Sequence, residues 1–283
     1  MHTLPQAFYL PTPGGQLFCL YHPPIGPARG RVLHLHPLAE ELNNCRRVSA
    51  QQARALSQAG YAVLQFDMSG CGDSTGEFAD ATWSQWLQDT SCAAIWLLGQ
   101  DQGPLWLWGV RTGALLATEW LQQEARAVAT PTPVHLLFWQ AVLSGQQALK
   151  HWSRLRSATT WTSGSDRPSS VFMSLQSNQA SPDDPWSVAG YTFNTALQEG
   201  LGQATLHPPS SANTAHRLVW VDISTTTPPA NSPGAQRAID MWQQAGWAVQ
   251  ASATVGPSYW QTIGTDDASD LQSTTLALLT DGA

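Results

Sequence analysis

The sequence predicts an α/β fold, a mostly parallel central sheet with helices on both faces. Three observations carry this prediction. Short apolar runs alternate with segments of helical period, the rhythm of parallel strands joined by crossover helices. Several of these runs pass directly into glycine-rich turns, as Trp106-Leu107-Trp108-Gly109 does. The 283 residues, 42% hydrophobic, are also enough to bury a core on each face of one large sheet.

The elements follow in order. Two strands open the chain at Ala7–Leu10 and Gln16–His22, around the turn signal Pro13-Gly14-Gly15. A third, Arg31–His36, leads into a loop over His36–Glu41. A helix from about Asn44 to Ala59 then places Val48, Ala55 and Leu56 on one face and stops at Gly60. Strand Ala62–Phe66 precedes a glycine-rich turn and a helix at Trp83–Leu98. Strand Leu105–Trp108, a helix at Thr112–Glu124 and strand Val134–Trp139 complete the first half. The pattern resumes with strand Arg217–Asp222, a helix near Ala235–Ala245, strand Ala248–Val255 and a helix near Ala268–Leu279. Between the halves, 157–187 is crowded with Ser, Thr, Pro, Gly and Asp, which favour turns. Residues 1–144 and 216–283 therefore read as two parts of one core. Residues 145–215 read as a lid insertion, with helices at Ser144–Leu155 and near Phe193–Leu201.

Composition excludes several functions. The net charge is −7, and Lys150 is the sole lysine among 13 basic residues, so no electrostatic footprint for nucleic acid or anionic lipid exists. No apolar stretch is long enough for a membrane helix, and no signal peptide is read at Met1–Pro13. Cys19, Cys45, Cys71 and Cys92 are widely spaced, which predicts reduced thiols in a cytoplasmic protein. No cofactor or metal motif is present. The 14 tryptophans are expected in the core or lining a pocket.

The most informative segment is Gly109-Val110-Arg111-Thr112-Gly113, set between an apolar strand and an apolar helix. This is the frame of a nucleophile elbow, with glycines two residues either side of a strained apex. Arg111 occupies the apex, and a guanidinium has no lone pair for attack. Asp67-Met68-Ser69-Gly70-Cys71-Gly72-Asp73-Ser74 resembles the D-x-R-G-x-G-x-S turn of many α/β-hydrolases, and places Asp67 beside the pocket. His36-Pro37-Leu38 stands where such folds carry the oxyanion loop, so the Leu38 and Thr112 amides are the expected oxyanion donors. Together these motifs predict an α/β-hydrolase fold. A Ser-His-Asp triad does not follow. Asp222 is the one acid near its expected place, and no histidine occurs after His216.

His36–Arg47, Asp67–Ser74, Gly109–Ala117, Ala189–Asn194 and Gly256–Gln261 resemble the exosortase A system-associated hydrolases, specifically the second hydrolase family of those loci. Arg at the elbow apex looks like that family's own pattern. The resemblance implies the α/β-hydrolase fold and a bacterial locus for exopolysaccharide production and PEP-CTERM protein sorting. Partners would come from that locus. It leaves open whether the chain turns over a substrate.

Arg111 admits two roles. In one, an ion pair with Glu40 or Glu41 plugs a former active site. In the other, Arg111 receives an anionic small molecule, with Glu40 or Glu41 as orienter or general base in hydrolysis of an ester, acyl or sugar substrate. The plug is favoured, because structural ion pairs imitate functional ones. His36 reads more readily as a hydrogen-bonded imidazole than as a base. Cys71 reads as a packed thiol. Arg46 and Arg47, at the expected helix start, should pair with Glu40 or Glu41. Tyr259 and Trp260, where a triad histidine would approach, should line the pocket as filling or as a ligand platform.

Overall fold

The computed structural model describes residues 4–127, 133–162, 186–209, 216–224, 226–261 and 268–280. Eight strands form the main sheet: β1 (Gln6–Thr12), β2 (Gly15–His22), β3 (Gly30–Leu35), β4 (Tyr61–Phe66), β5 (Leu105–Val110), β6 (Val134–Trp139), β9 (Arg217–Ser224) and β10 (Ala248–Val255). Two further strands, β7 (Ser187–Val188) and β8 (Tyr191–Thr192), form a separate small hairpin. The spatial order of the main sheet is β1-β2-β4-β3-β5-β6-β9-β10. The first two strands are antiparallel, and every pairing from β4 to β10 is parallel.

The central strands are buried on both faces, and their alternate residues feed two cores. Leu33, Leu107, Leu136, Phe138, Leu218 and Trp220 point to one side. There they meet α2 (Trp83–Leu98), α3 (Gly113–Ala127) and α6 (Pro233–Gln244). Val32, Trp106, Trp108, Leu137, Trp139, Val219 and Val221 point to the other, against α1 (Glu40–Gln58) and α7 (Ser269–Thr280). Trp86, Trp106, Trp108, Trp139, Trp220 and Trp242 are all fully buried, so much of the tryptophan is core.

One boundary differs from expectation in a way that matters. α1 begins at Glu40, four residues before the expected start, so Glu40 and Glu41 form its first turn instead of a loop. The first-turn carboxylates complement the positive end of the helix dipole. Arg46 and Arg47 consequently lie in the second turn and do not open the helix. Between β6 and β9 come α4 (Gly145–Thr162), the small hairpin and α5 (Thr195–Gln203), whose N-terminus is capped by the Asn194 side chain. Most of the turn-rich 157–187 segment lies outside the described residues. Among the described residues, no helix is long and apolar enough to cross a membrane.

Candidate functional site

The strand β5 delivers Arg111 to the apex of a sharp turn into α3. Arg111 has φ 55°, a left-handed conformation that a side chain disfavours. Its backbone is locked, its N–H donating to the Trp139 carbonyl at 2.9 Å and its carbonyl accepting from Val142 N at 3.3 Å. The flanking glycines are sterically required. A Cβ on Gly109 would lie 2.5 Å from the Ala114 Cα, and one on Gly113 would lie 2.1 Å from the Leu35 carbonyl oxygen. The elbow geometry is therefore intact.

The Arg111 guanidinium is paired with Glu41. Nη2 donates to Oε1 at 2.9 Å, and Nε is shared between Oε1 at 3.3 Å and Oε2 at 3.2 Å. Nη1 makes a longer contact of 3.4 Å to the Gln140 carbonyl. Trp260 stacks beneath the charge, its ring centroid 5.1 Å from Cζ. Both side chains are largely withdrawn from water, with 16% of Arg111 and 10% of Glu41 exposed. Glu40 makes no ion pair with Arg111.

Other groups surround the elbow. The Leu38 N–H donates to Thr112 Oγ1 at 3.2 Å, so one expected oxyanion donor is already engaged. Asp222, at the β9 end, is buried beside the cleft. Burial pushes its carboxyl up to about 6, while the charge of Arg111 pulls the other way. Tyr259 follows β10, where a triad histidine would arrive, and is fully buried edge-on against Trp139 and Trp260. Tyr259 is therefore filling, whereas Trp260 lines a cavity.

Three expected neighbours lie elsewhere. His36 donates from Nδ1 to the Pro37 carbonyl at 2.7 Å and accepts the Met68 N–H at Nε2 across 3.2 Å. Both ring nitrogens are occupied, and burial lowers its pKa. Asp67 pairs with Arg46 at 3.1 Å, correcting the expected partnership of Arg46 with Glu40 or Glu41. Asp67 also accepts from the Asp73 N–H at 3.0 Å. Asp67 and His36 line a separate cavity of about 160 Å³ together with Arg46, so Asp67 is not part of the Arg111 pocket. The cause is the early start of α1, which aims Glu41 at the elbow and brings Arg46 over the β4 end. Cys71 is buried, and burial raises its thiol to about 12, consistent with a packed thiol.

Two cavities flank the Arg111–Glu41 pair. One, about 250 Å³, is lined by Arg111, Gln140, Asp222 and Ser232. The other, about 560 Å³, is lined by Glu40, Asn44, Val188, Phe193 and Trp260. Glu41, His151 and Trp152 line both. His151 and Trp152 were not legible as site residues, because α4 carries no motif and is tied to the site only by packing. Among the described residues, Ala39, Arg111, Gln140 and Ala189 are the non-glycine residues with positive φ. All four line these two cavities. Backbone strain of this kind, about 1–3 kcal/mol each, gathers at functional sites.

The family described as serine aminopeptidase, S33, matches residues 26–220, more than half of the chain. The chain belongs to this family. Among solved structures, it is similar to a thermostable carboxyl esterase from Bacillus coagulans, with TM-score 0.62, 11% identity and 99% of each chain covered. Est1E from Butyrivibrio proteoclasticus gives TM-score 0.58 at 14% identity, over 97% of this chain and 98% of that one. XC6422 from Xanthomonas campestris, a serine hydrolase without lid, gives 0.54 at 15% identity over 100% and 94%. These likenesses establish the α/β-hydrolase fold for this S33 family member. No curated protein matches it.

Proposed function

We propose that this S33 family member is catalytically degenerate and uses the cleft at its elbow to hold a ligand or partner. The observation that carries the reading is the Arg111–Glu41 pair at the apex, where the fold otherwise presents a nucleophile. A guanidinium cannot attack a carbonyl, and Glu41, held by two guanidinium nitrogens, is poorly placed to activate water. The engaged Leu38 amide and the buried Tyr259 support the same reading. In this proposal residues 145–215 form a lid over a core made of 1–144 and 216–283. His151, Trp152, Val188 and Phe193 support it by lining the cavities.

The setting we propose is cytoplasmic, in an exopolysaccharide and PEP-CTERM sorting locus. It rests on the sequence resemblance, and the four free cysteines accord with a reducing compartment. Hydrolysis of p-nitrophenyl esters of several chain lengths, by wild type and Arg111→Ala side by side, tests the proposal. Neither protein is expected to turn over. Turnover by the wild type that disappears in Arg111→Ala would overturn degeneracy in favour of an unconventional hydrolase using Arg111 with Glu40 or Glu41.

A further inference from the structure

We propose that the larger cavity receives an organic cation, a primary ammonium group carried on an apolar or aromatic body. The inference rests on the ligand-holding reading above and specifies the ligand's chemistry. At about 560 Å³, the cavity has the size of a small-molecule site. Trp152, Phe193, Val188 and Trp260 supply its apolar wall. Trp152 and Phe193 stack with centroids 5.0 Å apart, forming a continuous aromatic face.

The polar groups of this cavity set the charge. Glu40 lines it and has no hydrogen-bond or ion-pair partner among the described residues. Asn44, nine-tenths buried, also lines it. Its Nδ2 donates to the Trp260 carbonyl at 3.0 Å, which leaves Oδ1 as an acceptor without a partner. A carboxylate and a carbonyl are both acceptors, so a ligand that meets them brings donors. Among the described residues His151 is the one basic side chain that lines the cavity, and no lysine or arginine does. The nearby Arg111 charge is already met by Glu41, and Asp222 adds a further acid on its other side. An apical arginine alone points to an anion; its surroundings point to a cation. Aromatic faces beside a carboxylate are a favourable environment for an ammonium group.

Three probes with matched bodies test this: phenethylamine, 2-phenylethanol and 3-phenylpropionate, titrated calorimetrically into the full chain at pH 8. The amine is expected to bind about tenfold more tightly than the alcohol, with the carboxylate weakest. Glu40→Gln should remove the amine's advantage and leave the alcohol unchanged. Glu40→Lys should reverse the order in favour of the carboxylate. Equal or tighter carboxylate binding by the wild type overturns the inference. So does an amine preference that survives Glu40→Gln, or no binding by any of the three. The ester assay separates the two proposals, since turnover would defeat degeneracy without touching the charge preference.

Discussion

Glu41→Gln removes the negative half of the elbow ion pair while keeping its shape. The wild-type pair has its tightest contact at 2.9 Å and a forked second contact at 3.2 and 3.3 Å. Breaking a fully buried pair costs about 3–5 kcal/mol, because the surviving charge stays desolvated. Here 16% of the Arg111 side chain reaches water, and Asp222 lies close enough to take part of the charge. These two features reduce the expected loss to about 2 kcal/mol. Arg111→Met should lose a similar amount by stranding Glu41. The double variant should then lose much less than the sum, with a coupling energy of about 2 kcal/mol. Urea unfolding followed by circular dichroism at pH 7.5 measures all four corners of the cycle. Single losses below about 0.5 kcal/mol that simply add would refute the reasoning, since that is how an exposed pair behaves.

Asp222, whose carboxyl is pushed up to about 6, holds its proton in the folded state after the unfolded chain has released it. Its contribution to stability is therefore largest at low pH and falls as pH rises from about 4 to about 6. Asp222→Asn should stabilise the protein by about 1–3 kcal/mol at neutral pH. The wild-type-minus-variant difference should vanish near pH 4; a difference independent of pH would contradict the burial argument. Buried His135, lowered to about 4, acts in the opposite sense, losing stability as pH falls below about 6.5. This is why the difference profile, and not the wild-type curve, is the measurement. Gly113→Ala places a methyl against the Leu35 carbonyl and should abolish soluble expression or cost more than about 3 kcal/mol; a stable Gly113→Ala protein would show that the elbow is looser than described. Arg111→Ser should show no ester hydrolysis, because the chain carries no histidine after His216 and Tyr259, which follows β10, is fully buried. Robust turnover by that single variant would mean that another group serves as the base.

Local pattern determined the architecture of this protein. Strand alternation, helical period and the paired glycines at Gly109 and Gly113 are short-range properties, and each demands its conformation wherever the chain places it. The elbow, the mostly parallel sheet and the unsuitability of Arg111 as a nucleophile are all legible on that basis. The choice between Glu40 and Glu41 is not. They are adjacent in sequence, and only the start of α1 at Glu40 decides that Glu41 turns toward Arg111 while Glu40 faces the larger cavity. Arg46 pairs with Asp67 and not with Glu40 or Glu41 for the same reason, its place in the second turn bringing it there. His36 and Asp67 sit at strand ends that the sequence places near the pocket, yet α1 separates their cavity from that of Arg111. His151 and Trp152 join the site through α4, far along the chain. Contacts of that kind depend on how helices cross the sheet, and ion-pair choice depends on the few ångströms by which one helical turn displaces a side chain.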